Sequence, residues 1–302
     1  MHSGKSSRWE QERYSRRTFL SSMGAAATSV TALAAMAEAG SAQGSGPADT
    51  YETHAKGIRT LPGQWRPHYP WEQIAWVSPP WPSQDYLWLD FPEAIFTSQG
   101  LLYLSHINPR IPSVFADLPR VPWRKTTEGV AFERTLPNSV AFGGSVTKET
   151  DSTVALELHI HNGSSEKLAR IALQTCAFLR AIREFADYTN DNKFVHVSGS
   201  GWVPLSRALD LPDADAPYRV GWRTEGKKVA DAPVAVAVSN QGNRLLALTW
   251  GRDTLSMVGN SRHPCIHADP QFPDIEPGQR ASVHGKLTFF EGQLSDFDYA
   301  TL

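Results

Sequence analysis

The feature that most constrains this chain is a run in which apolar and polar residues alternate. In Thr153-Val154-Ala155-Leu156-Glu157-Leu158-His159-Ile160-His161, Val154, Leu156, Leu158 and Ile160 fall on one face, and Glu157, His159 and His161 on the other. A period of two is the strand period, whereas a helix returns a residue to the same face only every third or fourth position. Shorter runs of β-branched and aromatic residues recur over 86–91, 92–96, 101–106, 126–132, 135–142, 143–149, 194–198, 219–224, 234–239, 245–250 and 281–290. Between them lie clusters drawn from 21 prolines and 22 glycines, the residues that punctuate turns. The expectation is a mainly β fold: a large two-sheet antiparallel β-sandwich with few short helices, built as a single domain over 58–302.

Two segments are harder to place. Asn162-Gly163 is a hairpin signal, so the alternating strand is expected to turn back on itself through about Thr175, with a short helix over 177–186. Residues 58–84 hold Trp65, Trp71, Trp76 and Trp81 among six prolines. Proline cannot donate to a strand ladder, so this segment reads as an extended wrap pinned by its rings. The alternative is a wall on which sugar rings stack, since flat rings with one polar tip suit such faces. Trp81, Trp88 and Trp202 are the candidate stacking residues.

Bulk composition excludes some functions. The net charge is −2, from 29 basic and 31 acidic residues, with no basic run that would make a nucleic-acid footprint. No glycine-rich loop follows a strand and opens a helix, and there is no G-x-S-x-G elbow.

The N-terminal stretch Ser15-Arg16-Arg17-Thr18-Phe19-Leu20 resembles the twin-arginine (Tat) export motif. An alanine-rich, weakly apolar run follows, then Ala37-Glu38-Ala39 and Gly40-Ser41-Ala42, either of which fits a small-residue cleavage site. The resemblance implies a signal segment over 1–42, a polar linker over 43–57, the Tat machinery as a partner, a periplasmic or secreted location, and no transmembrane span in the mature chain. Cys176 and Cys265 both survive such processing, as a disulfide, as buried thiols or as metal ligands.

Chemistry concentrates in Gly259-Asn260-Ser261-Arg262-His263-Pro264-Cys265-Ile266-His267-Ala268-Asp269-Pro270. In extended backbone His263, Cys265, His267 and Asp269 share one face, a metal-ligand set or a polar pocket wall. Pro264 and Pro270 argue instead for a bulge or loop. Glu93 and His106 are polar groups set in apolar runs, where burial can tune them for proton transfer. The acid/base candidates are Glu93, His106, His263, His267 and Glu291. The metal candidates are His159, His161, His263, Cys265 and His267, for one divalent transition metal.

His159-Ile160-His161 with Glu166 resembles the first metal motif of the cupins in its spacing, with Lys167 where that motif continues with glycine. The strand rhythm, the 10 tryptophans and the His and Glu residues set within strands are similar to the galactose-mutarotase-type supersandwich proteins. That resemblance implies an exported carbohydrate-active protein with a sugar ligand, of the glycoside hydrolase, polysaccharide lyase or sugar epimerase class. A cupin-like metal-dependent enzyme and a non-catalytic carbohydrate-binding or envelope module are the alternatives.

Overall fold

The computed structural model describes residues 57–302 except Ser261; the expected signal segment and all but the last residue of the linker lie outside the described residues. In chain order the strands are β1 (Thr60–Gly63), β2 (Ile74–Val77), β3 (Leu87–Thr97), β4 (Gly100–Leu104), β5 (Arg124–Lys125) and β6 (Gly129–Thr135). There follow β7 (Val140–Lys148), β8 (Thr153–Asn162), β9 (Ala172–Phe178), β10 (Lys193–Val197), β11 (Gly201–Pro204) and β12 (Tyr218–Val220). The chain ends with β13 (Lys227–Ala230), β14 (Val234–Val238), β15 (Arg244–Thr249), β16 (Thr254–Asn260), β17 (Cys265–Pro270) and β18 (Arg280–Glu291). One four-residue α-helix, Leu205–Ala208, and short 3₁₀ turns complete the described residues. None of their helices is long and apolar enough to cross a membrane.

The strands form the two sheets of a β-sandwich. The first runs β1-β2-β3-β9-β17-β16-β12-β13 with β4 against β3; the second runs β11-β10-β14-β15-β18-β8-β7-β6-β5. Every pairing is antiparallel except that of β12 with β16. The alternation in β8 behaves as its sequence reads: Val154, Leu156, Leu158 and Ile160 are buried in the shared core. Leu87, Leu89, Phe91 and Ile95 of β3 and Ile266 and Ala268 of β17 join the same core from the first sheet. Each of these side chains larger than alanine contributes about 1.5–3 kcal/mol by leaving water.

Several local expectations give way to the topology. Asn162-Gly163 does not close a hairpin, because both edges of β8 are already taken, by β7 and β18. The chain crosses to the first sheet, where β9 pairs with β3 and β17. Asn162 holds that crossing, its buried amide donating to the carbonyls of Glu166 and Ile275 at 2.8 and 2.9 Å. In place of the helix expected over 177–186, β9 ends at Phe178, and a turn leads into a 3₁₀ turn at Arg183–Phe185. Gly143 and Gly144 lie mid-strand in β7, which unites the runs expected over 135–142 and 143–149, and the turn falls before them, at Ser139 with φ 67°. Both glycines are needed for closeness: a Cβ on Gly143 would lie 2.6 Å from His159 Nε2, and one on Gly144 2.6 Å from Phe91 Cε1.

The Trp/Pro-rich wrap is also more regular than its prolines suggest, since β1 and β2 extend the first sheet beside β3. Edge position explains this, because an edge strand has one ladder that proline need not serve. Trp71 and Trp81 are buried in the core, Trp71 donating to the Leu104 carbonyl at 3.0 Å and Trp81 to Glu184 Oε1 at 2.7 Å.

Replacing a central core residue tests this packing. Leu158→Ala is expected to cost about 2–5 kcal/mol of unfolding free energy, read from the midpoint shift of a urea denaturation curve at unchanged slope.

Candidate functional site: a cleft over the first sheet

In β9 and β17 the residues that do not enter the core face outwards together. Cys265 pairs with Phe178 and His267 with Cys176, while Ile266 and Ala268 point into the sandwich. The shared face read from the sequence therefore holds for Cys265, His267 and Asp269. The prolines do not interrupt it, because Pro264 precedes β17 and Pro270 ends it beside a register shift.

The neighbouring strand supplies the carboxylates. β3 is irregular between Asp90, opposite Cys176, and Ala94, opposite Gln174. Three residues of β3 there stand against Thr175 alone. The extra residues form a bulge that re-aims the strand, so that Phe91 enters the core while Asp90 and Glu93 lie on the outward side. Thr175 takes its hydrogen bond from elsewhere, its N–H donating to Asp269 Oδ1 at 3.0 Å.

Burying Asp90 without a cation would be costly. Arg66, from the wrap, supplies one: its Nη2 lies 2.6 Å from Asp90 Oδ2 and its Nε 2.9 Å from Glu72 Oε2. Ser105 donates to the same Asp90 oxygen at 2.7 Å, and Glu72 accepts from the backbone of Trp65 and Arg66. Burial pushes Asp90 up to about 6, with Arg66 pulling against it, while Asp90 and Glu72 together overcome burial and hold the Arg66 guanidinium above its usual range.

Beside this pair opens a cleft of about 590 Å³. Glu93, His106, His263 and His267 line it, with Asn108, Gln174 and Asn260 supplying amides, and Arg223 and Arg262 positive charge. Trp222 stands over the floor at 37% exposure, its ring 5.4 Å from that of His267 and near-perpendicular to it. Glu93 Oε1 is 3.9 Å from His106 Nδ1 and its Oε2 is 3.9 Å from His267 Nδ1. Burial raises Glu93 to about 7, with His267 opposing and Asp90 and Cys265 adding to the rise. His106 is lowered to about 4 by burial, then by Arg66 and His263. At neutral pH the cleft thus sets a carboxyl near its midpoint beside an uncharged imidazole, the arrangement that proton transfer requires.

Beneath the cleft, Cys265 Sγ lies 3.4 Å from His267 Nε2, and His267 Nδ1 lies 3.5 Å from Asp269 Oδ1. The thiol of Cys176 completes a buried trio with Cys265 and His267, every ligand atom within 4.8 Å of the others. A hydrogen bond with Cys176 lowers Cys265 well below the usual thiol range, and the same bond raises Cys176. Burial acts to lower His267, but the Cys265 sulfur and Asp269 outweigh it and hold the imidazole well above its usual range. Asp90, Glu93 and His106 form a second group within the same radius.

The structure therefore brings Glu93, His106, His263 and His267 to one cleft, sets Cys265 beneath it beside His267, and places the other sequence candidates elsewhere. Glu291 ends β18 in the second sheet, exposed and 3.4 Å from Arg244. The metal set read from the sequence divides between the sheets, because β8 is bound into the second. His159 there lies against Glu133 and Glu157 at 3.4 and 3.7 Å, and His161 stands opposite Ala141 and Arg280. Glu166 lies in the crossing loop and is exposed. The three tryptophans also separate. Trp81 packs edge-on to Phe289 in the core, Trp88 clusters with Trp65, Trp76 and Phe178, and Trp202 packs on Tyr299 and Phe297. Sequence reasoning missed Trp222 and Arg66 as members of the site, and left Cys176 open between a disulfide, a buried thiol and a metal ligand. Trp222-Arg223 was read as the end of a strand, whereas Gly221, at φ 106°, turns the chain out there to make the cleft rim.

No protein-family model matches the sequence, and no curated protein matches it. Among solved structures it is similar to a candidate aldose 1-epimerase of Escherichia coli K12, with 9% identity over 78% of this chain and 100% of that one, at a TM-score of 0.42. It is similar also to the galactose mutarotase related enzyme of Lactobacillus acidophilus, with 8% identity over 78% and 98% and a TM-score of 0.43. With likeness this partial, the function of the chain has to be read from its own residues.

Arg66 can be tested as the strap of this face. Arg66→Met leaves Glu72 and Asp90 buried without a cation and is expected to cost about 3–5 kcal/mol, measured by urea unfolding. Arg183→Ala removes an exposed partner of Asp85 and is expected to cost at most about 1 kcal/mol in the same assay.

Proposed function

We propose that this protein is an exported carbohydrate-active enzyme that moves a proton on a sugar ring bound in the cleft over the first sheet. The observation that carries the reading is the convergence of Glu93 and His106 on an open cleft that also presents an exposed indole and several amides. An indole face stacks on the apolar face of a sugar ring, and amide and guanidinium groups serve its hydroxyls. Glu93 is the proton-transferring group and His106 its uncharged partner. Asp90 is committed to Arg66 and Ser105, and the other carboxylate lining the cleft, Glu225, is exposed on the rim loop that carries Trp222. Glu93 with His106 suits epimerase or lyase chemistry, in which two protonatable groups flank the ring, whereas Glu93 with Glu225 would be the pair that hydrolysis wants.

Export is part of the proposal and rests on Arg16-Arg17 and the alanine-rich run after it. The double change Arg16→Lys with Arg17→Lys is expected to leave the protein in the cytoplasm with its N-terminal segment uncleaved, as judged by fractionation and mass spectrometry. Normal export of that variant would sink this part.

The activity test is a screen of reducing sugars for anomeric exchange by NMR, together with uronate polysaccharides for newly formed double bonds by ultraviolet absorbance. Glu93→Gln is expected to lower turnover by about 10²–10⁴-fold, while Trp222→Ala chiefly raises KM. A rate that survives Glu93→Gln unchanged would remove Glu93 from the mechanism.

A further inference from the structure

We propose that Cys176, Cys265 and His267 form a zinc-type metal centre beneath the floor of the cleft, with Asp269 as the residue that orients His267. Two thiols and an imidazole are a soft donor set suited to zinc. Their spacing fits one shared ion. Tetrahedral zinc with bonds of about 2.3 Å to sulfur and 2.0–2.1 Å to nitrogen holds its donors ~3.5–3.8 Å apart, and Cys265 Sγ already lies 3.4 Å from His267 Nε2.

The orientation of the ring points the same way. His267 presents Nε2 to the sulfur and Nδ1 to Asp269, at 3.5 Å. A carboxylate behind the far nitrogen is the usual support of a metal-binding histidine, fixing its tautomer and rotation. His267 is 1% exposed, so Nε2, between the sulfurs, is held away from water. His263 stands next to the trio. Its Nδ1 is buried without a partner, while its Nε2 pairs with Asn260 Nδ2 at 3.0 Å, so His263 borders the trio without belonging to it.

A disulfide is the competing use of two neighbouring cysteines, and the strand register opposes it. Cys176 stands opposite His267, not opposite Cys265, so the cysteines are diagonal neighbours across β9 and β17. Diagonal positions lie about 7–8 Å apart at Cα, whereas a disulfide wants Cα atoms within about 6.8 Å. An ion spans the gap that the S–S bond does not. Trp65, Trp88 and Phe178 pack over the sulfurs and keep water from them. Binding releases protons to solvent, because both sulfurs must be thiolates and His267 Nε2 must be deprotonated to act as a donor.

The test reads metal rather than turnover, so it fails or succeeds independently of the sugar chemistry. Full-length protein purified without chelator is expected to carry about one zinc per chain by elemental analysis. Stripped protein titrated with Co²⁺ is expected to develop thiolate-to-cobalt charge-transfer absorption, weaker in Cys176→Ser and absent when Cys265→Ser is added. Circular dichroism checks each variant for folding. Asp269→Asn keeps all the donors and is expected to weaken zinc binding about 10–100-fold, an effect that a purely structural aspartate would not produce. Folded, reduced wild-type protein that gives no cobalt–thiolate absorption overturns the proposal. So does non-reducing mass spectrometry that finds Cys176 and Cys265 joined to each other.

Discussion

The structure depends on the cost of burying charge on the outer face of a sheet. A sandwich has no difficulty with its inner face, where Leu87, Leu89 and Phe91 of β3 meet Leu156, Leu158 and Ile160 of β8. The outer face of the first sheet is different: it buries Asp90, His267 and Asp269 to 2% exposure or less. Carboxylates removed from water need a cation or several donors. Arg66 meets that need for Asp90 and Glu72 at once, and in doing so fastens the N-terminal wrap across β3. The wrap is therefore part of the site, because without it the carboxylates of the cleft floor would face water and lose their tuned environment.

The same burial gives neighbouring groups opposite tendencies. Glu93 and Asp269 are raised because the charged form of a carboxyl is the one that burial disfavours. His106 is lowered because its charged form is the protonated one, and Arg66 and His263 add to that. His267 escapes the rule only because a sulfur and a carboxylate lie on either side of its ring. Neighbouring groups on this face are thus shifted in opposite directions, which is the condition for moving a proton rather than merely holding one.

What was legible in the sequence follows from which interactions are local. The period-two pattern of β8 fixes its inward face by itself, and the i, i+2, i+4 spacing of Cys265, His267 and Asp269 fixes theirs. Glu93 stood out because a carboxylate inside an apolar run has few inexpensive places to go. What was hidden depends on partners distant in the chain. Asn162-Gly163 has the chemistry of a hairpin, and only the occupancy of both edges of β8 turns it into a crossing. His159 and His161 look like ligands beside His263 and His267 until the sheet order assigns them to the other layer. Arg66 lies 24 residues before Asp90, in a segment whose rings draw attention away from its one decisive charge.

The two groups of possible ligands on this face are not equivalent, and the difference explains how one small region can serve two purposes. Asp90, Glu93 and His106 are close enough to share an ion, but Asp90 Oδ2 is already taken by the Arg66 guanidinium and the Ser105 hydroxyl. A dication there would face a fixed positive charge across a single carboxylate, in a region where burial strengthens the repulsion. Glu93 is left free to exchange protons with a ligand. Cys176, Cys265 and His267 have no such cation among their hydrogen-bond partners, and their soft donors are the ones that a transition metal prefers to carboxylate. The guanidinium on one side and the thiols on the other thus divide a single polar face into a proton-handling cleft and a metal-binding floor.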